Sequence, residues 1–213
     1  MPEPTFNPKP LKAQAQSILK EAIINGELTE DMPITERLVL ENYHISKTPF
    51  REAIQSLEAQ GWVKNVPYKG TYVIPLKEKD IEDIFELRLL LEPSLLTKMD
   101  ETQIKEMTEI AEDMKNSHAN LSDEELMLLD QQFHQVLYKS SNNHRLMQIF
   151  DGINEAVRRI GMQVLNYQTR REELIREHEQ IVADLKNDTE AEAMKTHLRN
   201  QKQAFISIIE HSP

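Results

Sequence analysis

The chain has 213 residues, no cysteine and a formal net charge of -11. Disulfides and thiolate metal sites are therefore excluded, and any metal must be held by His, Asp, Glu or other oxygen ligands. The opening MPEPTFNPKPLK lacks the apolar core of a signal peptide, and no apolar run approaches the roughly 18 residues that span a bilayer, so a soluble, cytoplasmic protein with no membrane partner is expected.

Residues 2–10 carry four prolines and read as an extended arm. A first helix follows over about Leu11 to Asn25, with Ile18, Ala22 and Ile23 on one face and Asn25-Gly26 as its stop. A second runs from about Thr35 to Tyr43 with Thr35 as its cap. A third starts near Thr48, where Thr-Pro offers a cap and then a proline for the first helical position, and reaches Gln60-Gly61. The period then changes to two. Trp62 to Val66, a turn over Pro67-Tyr68-Lys69-Gly70, and Thr71 to Ile74 read as a hairpin. Three short helices and a hairpin predict a winged helix-turn-helix domain over residues 1–75.

From Lys79 onward only helical periodicity remains, in about six segments: 79–98, 102–118, 122–140, 143–165, 169–187 and 189–209. Short connections predict antiparallel neighbours, hence an all-helical bundle over residues 79–210, with Pro75-Leu76-Lys77-Glu78 as the junction. The fold class expected is mainly α.

Net acidity argues against a nucleic-acid partner until the charge is divided along the chain. Residues 1–75 carry eight Lys/Arg and nine Asp/Glu, whereas residues 76–213 carry seventeen and twenty-seven. Between Lys47 and Gly70 the balance reverses to +2, with Lys47, Arg51, Lys64 and Lys69 against Glu52 and Glu58. A recognition helix needs base-reading groups in its first turn and donors for phosphate. Ser46-Lys47-Thr48-Pro49-Phe50-Arg51 supplies both, with Lys47 and Arg51 four apart on one face. Taken alone the pair is a solvated helix face; next to a hairpin it reads as a DNA contact.

The run SKTPFREAIQSLEAQGWVKNVPYKGTYV resembles the winged helix-turn-helix of GntR-type transcriptional regulators, whose signature is Ser-Arg-Thr-Pro-Val-Arg-Glu-Ala-Leu, a leucine-rich helix, Glu-Gly-Leu-Val and a wing closing on Gly-Thr. The likeness covers about residues 11–75. It implies DNA contacts by Arg37, Ser46, Lys47, Thr48 and Arg51, and by the wing at Tyr68, Lys69 and Gly70. Lys47 stands where the family usually has arginine, which removes the guanidinium fork for guanine and weakens base readout there or turns it toward phosphate.

In the bundle, LLDQQFH places Asp130 and His134 one turn apart beside the apolar stripe Leu126, Leu129, Phe133 and Leu137. His178, between Leu174, Ile175 and Ile181, Val182, and His197, between Ala193, Met194 and Leu198, Gln201, take similar positions. Each alone reads as a core histidine satisfied by a neighbour. Together they call for a shared partner, and a divalent metal satisfies an Asp and three His at once. His44, His118, His144 and His211 lack this placement and read as surface or loop residues.

Asp-x-x-Phe-His, then Glu-His-x-x-Ile at Glu177 to Ile181 and a lone His nineteen residues after His178, resembles the FCD effector domain of the FadR branch of GntR regulators, in its shorter VanR-like form. The resemblance spans about residues 78–210 and implies a metal (Zn, Mn or Ni) on Asp130, His134, His178 and His197. Arg88, spaced to pair with Glu92, is by the same resemblance an effector-carboxylate ligand, and Asn154 is expected to line that cavity.

The resulting expectation is a homodimeric repressor on a palindromic double-stranded DNA operator, controlled by a small carboxylate bound at the metal. Two alternatives stand beside it: the metal is itself the signal, or the cluster is a water-activating metalloenzyme site.

Overall fold

The computed structural model describes residues 11–117, 120–165, 168–186 and 191–211. The proline-rich arm and His118 lie outside the described residues, as does the His211 side chain. The chain divides at Pro75/Leu76 into two compact units.

In the first unit, α1 (Leu11–Ile24) packs on α3 (Lys47–Ala59). Its buried stripe is Ala15, Leu19, Ala22 and Ile23, while Ile18 is 41% exposed. Of the expected face, Ala22 and Ile23 are buried and Ile18 is not, and Ala15 and Leu19, at i−7 and i−3 from Ala22, complete the buried stripe. Between them α2 (Glu36–Tyr43) starts at Thr35, whose hydroxyl accepts from Leu38 N at 3.2 Å. Ser46, not Thr48, occupies the cap of α3. Pro49 thus becomes the third helical residue, where its missing N–H still costs no bond because the first four helical amides have no partner within the helix.

The wing pairs β1 (Val63–Val66) antiparallel with β2 (Gly70–Val73), Val63 opposite Val73 and Val66 opposite Gly70. Lys69 N donates to Val66 O at 3.0 Å across a turn that holds Tyr68 at φ 63. A left-handed tyrosine at a turn's third position costs on the order of 1 kcal/mol, since that place normally takes Gly or Asn. Ile34 bridges to Thr71 and ties the chain before α2 to the wing.

The second unit comprises α4 (Glu78–Leu96), α5 (Glu101–Ser117), α6 (Asp123–Ser140), α7 (His144–Val164), α8 (Gln168–Lys186) and α9 (Glu192–His211). Ser122 and Glu125 form a reciprocal capping box at the start of α6, and the Asn143 side chain caps α7 through Arg145 N at 3.0 Å. α6 packs against α4, α5 and α7, and α9 against α4, α7 and α8, so polar groups on the inner faces of α6, α8 and α9 can converge. Phe133, Leu126 and Leu137 are fully buried on α6.

Candidate nucleic-acid interface and metal centre

Ser46, Lys47, Thr48 and Arg51 are all exposed over the first turn and a half of α3. Glu36, in the first turn of α2, gathers the two cations: Arg51 Nε donates to Glu36 Oε1 at 2.8 Å, and Lys47 Nζ lies 3.4 Å from Oε2. The Arg51 bond above all holds the Glu36 carboxyl below its usual pKa. Ion pairs this exposed contribute little to folding, so a phosphate or base edge can take the cations over. Arg37 is 86% exposed and lies 3.9 Å from Glu41. Tyr68 projects fully into solvent from the wing tip, flanked by Lys69 and by Gly70, whose φ of 110 suits glycine.

In the bundle, α6 delivers Asp130 and His134, α8 His178 and α9 His197, all four buried. One ligand atom from each lies within 4.8 Å of the others. The outer ring nitrogens fix the tautomers. His178 Nδ1 donates to Leu174 O at 2.7 Å and His197 Nδ1 to Glu177 Oε2 at 2.8 Å, because neither acceptor carries a proton to give. In the neutral form each ring therefore turns its Nε2 lone pair inward. His134 Nε2 stands 3.2 Å from His197 Nε2, and His178 Nε2 3.2 Å from Asp130 Oδ1. Asp130 Oδ1 and His178 Nε2 are buried without an aligned hydrogen bond. Acceptors facing acceptors in a dry interior cost on the order of 1–3 kcal/mol each, and a cation is the partner that this donor set lacks.

Burial pushes the His197 pKa down to about 3, against the pull of Glu177, so its ring is neutral at pH 7. For Asp130 burial acts upward, and its carboxyl falls below the usual carboxylate range only where the imidazoles, His178 foremost, carry a proton on Nε2 to share with it. Glu177 is itself gripped by Arg170, at 2.9 and 3.0 Å, and by Asn200 at 2.8 Å. His197, Arg170 and the Arg170 charge overcome burial and bring Glu177 to about 2. The Arg170 and Glu177 side chains also line a surface groove of about 660 Å³ between α8 and α9.

Arg88 and Asn154 line one small cavity with Glu92, Asp130 and His134, and its volume is about 10 Å³, room for about one water. Arg88 is already engaged: Nε donates to Glu92 Oε1 at 2.7 Å and Nη1 to Gln201 Oε1 at 2.5 Å. Burial would raise the Glu92 pKa, but Arg88 and His134 bring it to about 2. His44 ends α2 and His144 begins α7, both exposed.

Sequence reasoning missed the outer ring of Glu177, Arg170, Gln201 and Tyr138. Glu177 had a visible cue, because it precedes His178 in a Glu-His pair and has no apolar stripe to explain it. Gln201, one turn after His197, also follows a helical period. Arg170 lies two turns before Glu177 on the same face of α8, so its spacing also follows the helical period.

A winged helix-turn-helix joined to an all-helical unit is the architecture of DNA-binding transcriptional regulators. Residues 11–73 match the family "Bacterial regulatory proteins, gntR family" and residues 83–200 the FCD domain, and the chain belongs to the GntR family of regulators that carry an FCD domain. It is similar to the uncharacterized HTH-type transcriptional regulator YdhC of Bacillus subtilis (strain 168), with 30% identity over 90% of this chain and 87% of the relative. It is also similar to the gluconate operon transcriptional repressor of the same organism, with 27% identity over 63% of this chain and 57% of that one. The crystal structure of a GntR regulator from Rhodococcus sp. RHA1 shares the fold at TM-score 0.77 and 17% identity, covering 92% of this chain and 97% of its own. The family and these relatives are transcriptional regulators, not enzymes, which sets the metalloenzyme alternative aside. Among the described residues no helix is long and apolar enough to cross a membrane.

Proposed function

We propose that this protein is a homodimeric, metal-containing repressor that releases or grips a palindromic operator according to what occupies its helical domain. Lys47 and Arg51 supply the base and phosphate contacts from α3, Arg37, Ser46 and Thr48 flank them, and Tyr68, Lys69 and Gly70 contact the backbone or minor groove. One such head covers few base pairs, and two heads about one helical turn apart give useful specificity.

Asp130, His134, His178 and His197 would hold the metal, which when bound neutralises Asp130 and cross-links α6, α8 and α9. The observation that carries this reading is the pair of orphaned inward atoms, Asp130 Oδ1 and His178 Nε2. Nitrogen and oxygen ligands fit Zn, Mn or Ni, and the protein localises to the cytoplasm with its DNA. Arg88 and Asn154 remain the residues for a small carboxylate effector, which must displace Glu92 from Arg88. That prior pairing and the 10 Å³ cavity favour the second reading, in which the metal is the signal.

The test has two arms. Protein purified without chelator is analysed for metal, and His178→Ala should lose the bound ion. Operator DNA, selected by the protein from a random library, should bind Arg51→Ala about 10- to 100-fold more weakly while the bundle stays folded. Full metal content in His178→Ala overturns the ligand set, and intact specific binding by Arg51→Ala overturns the recognition helix.

A further inference from the structure

Glu92 stands between two groups that look like separate features in the sequence. Its Oε1 accepts from Arg88 Nε at 2.7 Å and from the Tyr138 hydroxyl at 3.3 Å, and its Oε2 lies 2.8 Å from His134 Nδ1. The contact with His134 is close but not aligned, and His134 Nδ1 is among the buried atoms without a hydrogen bond. Arg88 holds the carboxylate by both oxygens, with Nη2 donating to Oε2 at 3.5 Å, the oxygen that faces His134. Arg88 in turn gives Nη1 to Gln201, on the same helix as His197. Arg88, Glu92, His134 and Gln201 are each at most 2% exposed, so water does not screen their charges.

A carboxylate aligned on imidazole Nδ1–H makes Nε2 a better metal donor, and such outer partners alter metal affinity by about 10- to 100-fold. A carboxylate shared with a guanidinium gives less. We propose that Glu92 is a positioning residue that couples Arg88 to His134, so that whatever pairs with Arg88 sets how tightly the Asp130, His134, His178 and His197 cluster holds its metal. The inference rests on the metal reading above. An anion that draws Arg88 away frees Glu92 to align on His134 and tightens the metal; by linkage, the metal tightens that anion.

Gln201→Glu tests this with zinc alone as the probe, because it offers Arg88 a second carboxylate of nearly unchanged shape. Zinc affinity of the full chain is measured by competition with a chromophoric chelator for wild type, Q201E, E92Q and E92Q/Q201E. Q201E should bind zinc up to about 10-fold more tightly and E92Q up to about 10-fold more weakly, the two differing by about 10- to 100-fold, and the double variant should match E92Q. An equal gain from Q201E with and without Glu92 means that charge acts through space and overturns the coupling; no gain in Q201E overturns it too.

A second measurement does not depend on E92Q folding. The His134 Nδ1–H resonance of the zinc-loaded protein should move downfield in Q201E as its hydrogen bond forms, and an unmoved resonance overturns the proposal. Zinc that fails to bind the wild type defeats the metal reading and this inference together. Zinc bound one per chain with additive effects defeats this inference alone.

Discussion

Asp130→Asn changes one atom and should change stability in opposite directions with and without metal. In the chelated protein at pH 8, above the ordinary imidazole range, Asp130 Oδ1 faces His178 Nε2 at 3.2 Å, acceptor against acceptor. An amide placed there can donate its N–H to that lone pair, removing a buried charge and satisfying an orphan worth on the order of 1–3 kcal/mol. In a domain of this size 1 kcal/mol corresponds to about 2–4 °C in melting temperature, so Asp130→Asn should melt several degrees above wild type in chelator. With zinc at about 1,000 times its Kd, wild type gains about 4 kcal/mol through binding to the folded state alone, and the order reverses, because the amide is a poor zinc ligand. Thermal melts followed by circular dichroism, with chelator and then with zinc, make the measurement. A variant less stable than wild type in chelator, combined with no zinc-induced rise in wild type, would refute the view that the cluster is shaped around a cation.

Two further outcomes follow from the same chemistry. Glu92 and Glu177 have folded pKa values of about 2 against an ordinary 4.5, and His197 about 3 against 6.5. All three are depressed, so the unfolded chain binds more protons, and the metal-free bundle should lose stability as pH falls below about 6.5 and more steeply from about 4.5 toward 2. Urea midpoints equal at pH 7.5 and 5 would contradict the His197 assignment. At the wing, Tyr68→Gly relieves the left-handed backbone but adds freedom to the unfolded chain, so these terms, each of order 1 kcal/mol, should nearly cancel. Its operator affinity should nevertheless fall, and a variant that binds operator like wild type would remove Tyr68 from the DNA interface.

The legibility of the fold varied with the range of the interactions involved. Helix starts at Thr35, Ser122 and Asn143 depend on side-chain-to-backbone bonds three residues or fewer in length, and they could be read directly. The start of α3 was misplaced because Thr48-Pro49 imitates a cap while Ser46 occupies that position without a side-chain bond. The four inward groups of the cluster were legible because helical period alone turns Asp130, His134, His178 and His197 toward one axis. Arg88 was ambiguous in sequence, since i, i+4 spacing to Glu92 fits both a surface pair and a ligand-binding arginine; burial at 2% shows an interior pair.

The sequence by itself determined the two-unit plan, the winged reading head with its basic first turn, and the candidate ligand residues, all of which follow from period, capping and charge within a few turns of chain. Only the tertiary structure decided how the partners beyond them are shared. Glu92 meets His134 across 42 positions, Glu177 meets His197 across 20, and Gln201 meets Arg88 across 113. Contacts at such separations depend on which helices pack together, and no local spacing encodes them. Packing also left Asp130 Oδ1 and His178 Nε2 without aligned bonds, the observation that gives the buried cluster its chemical meaning.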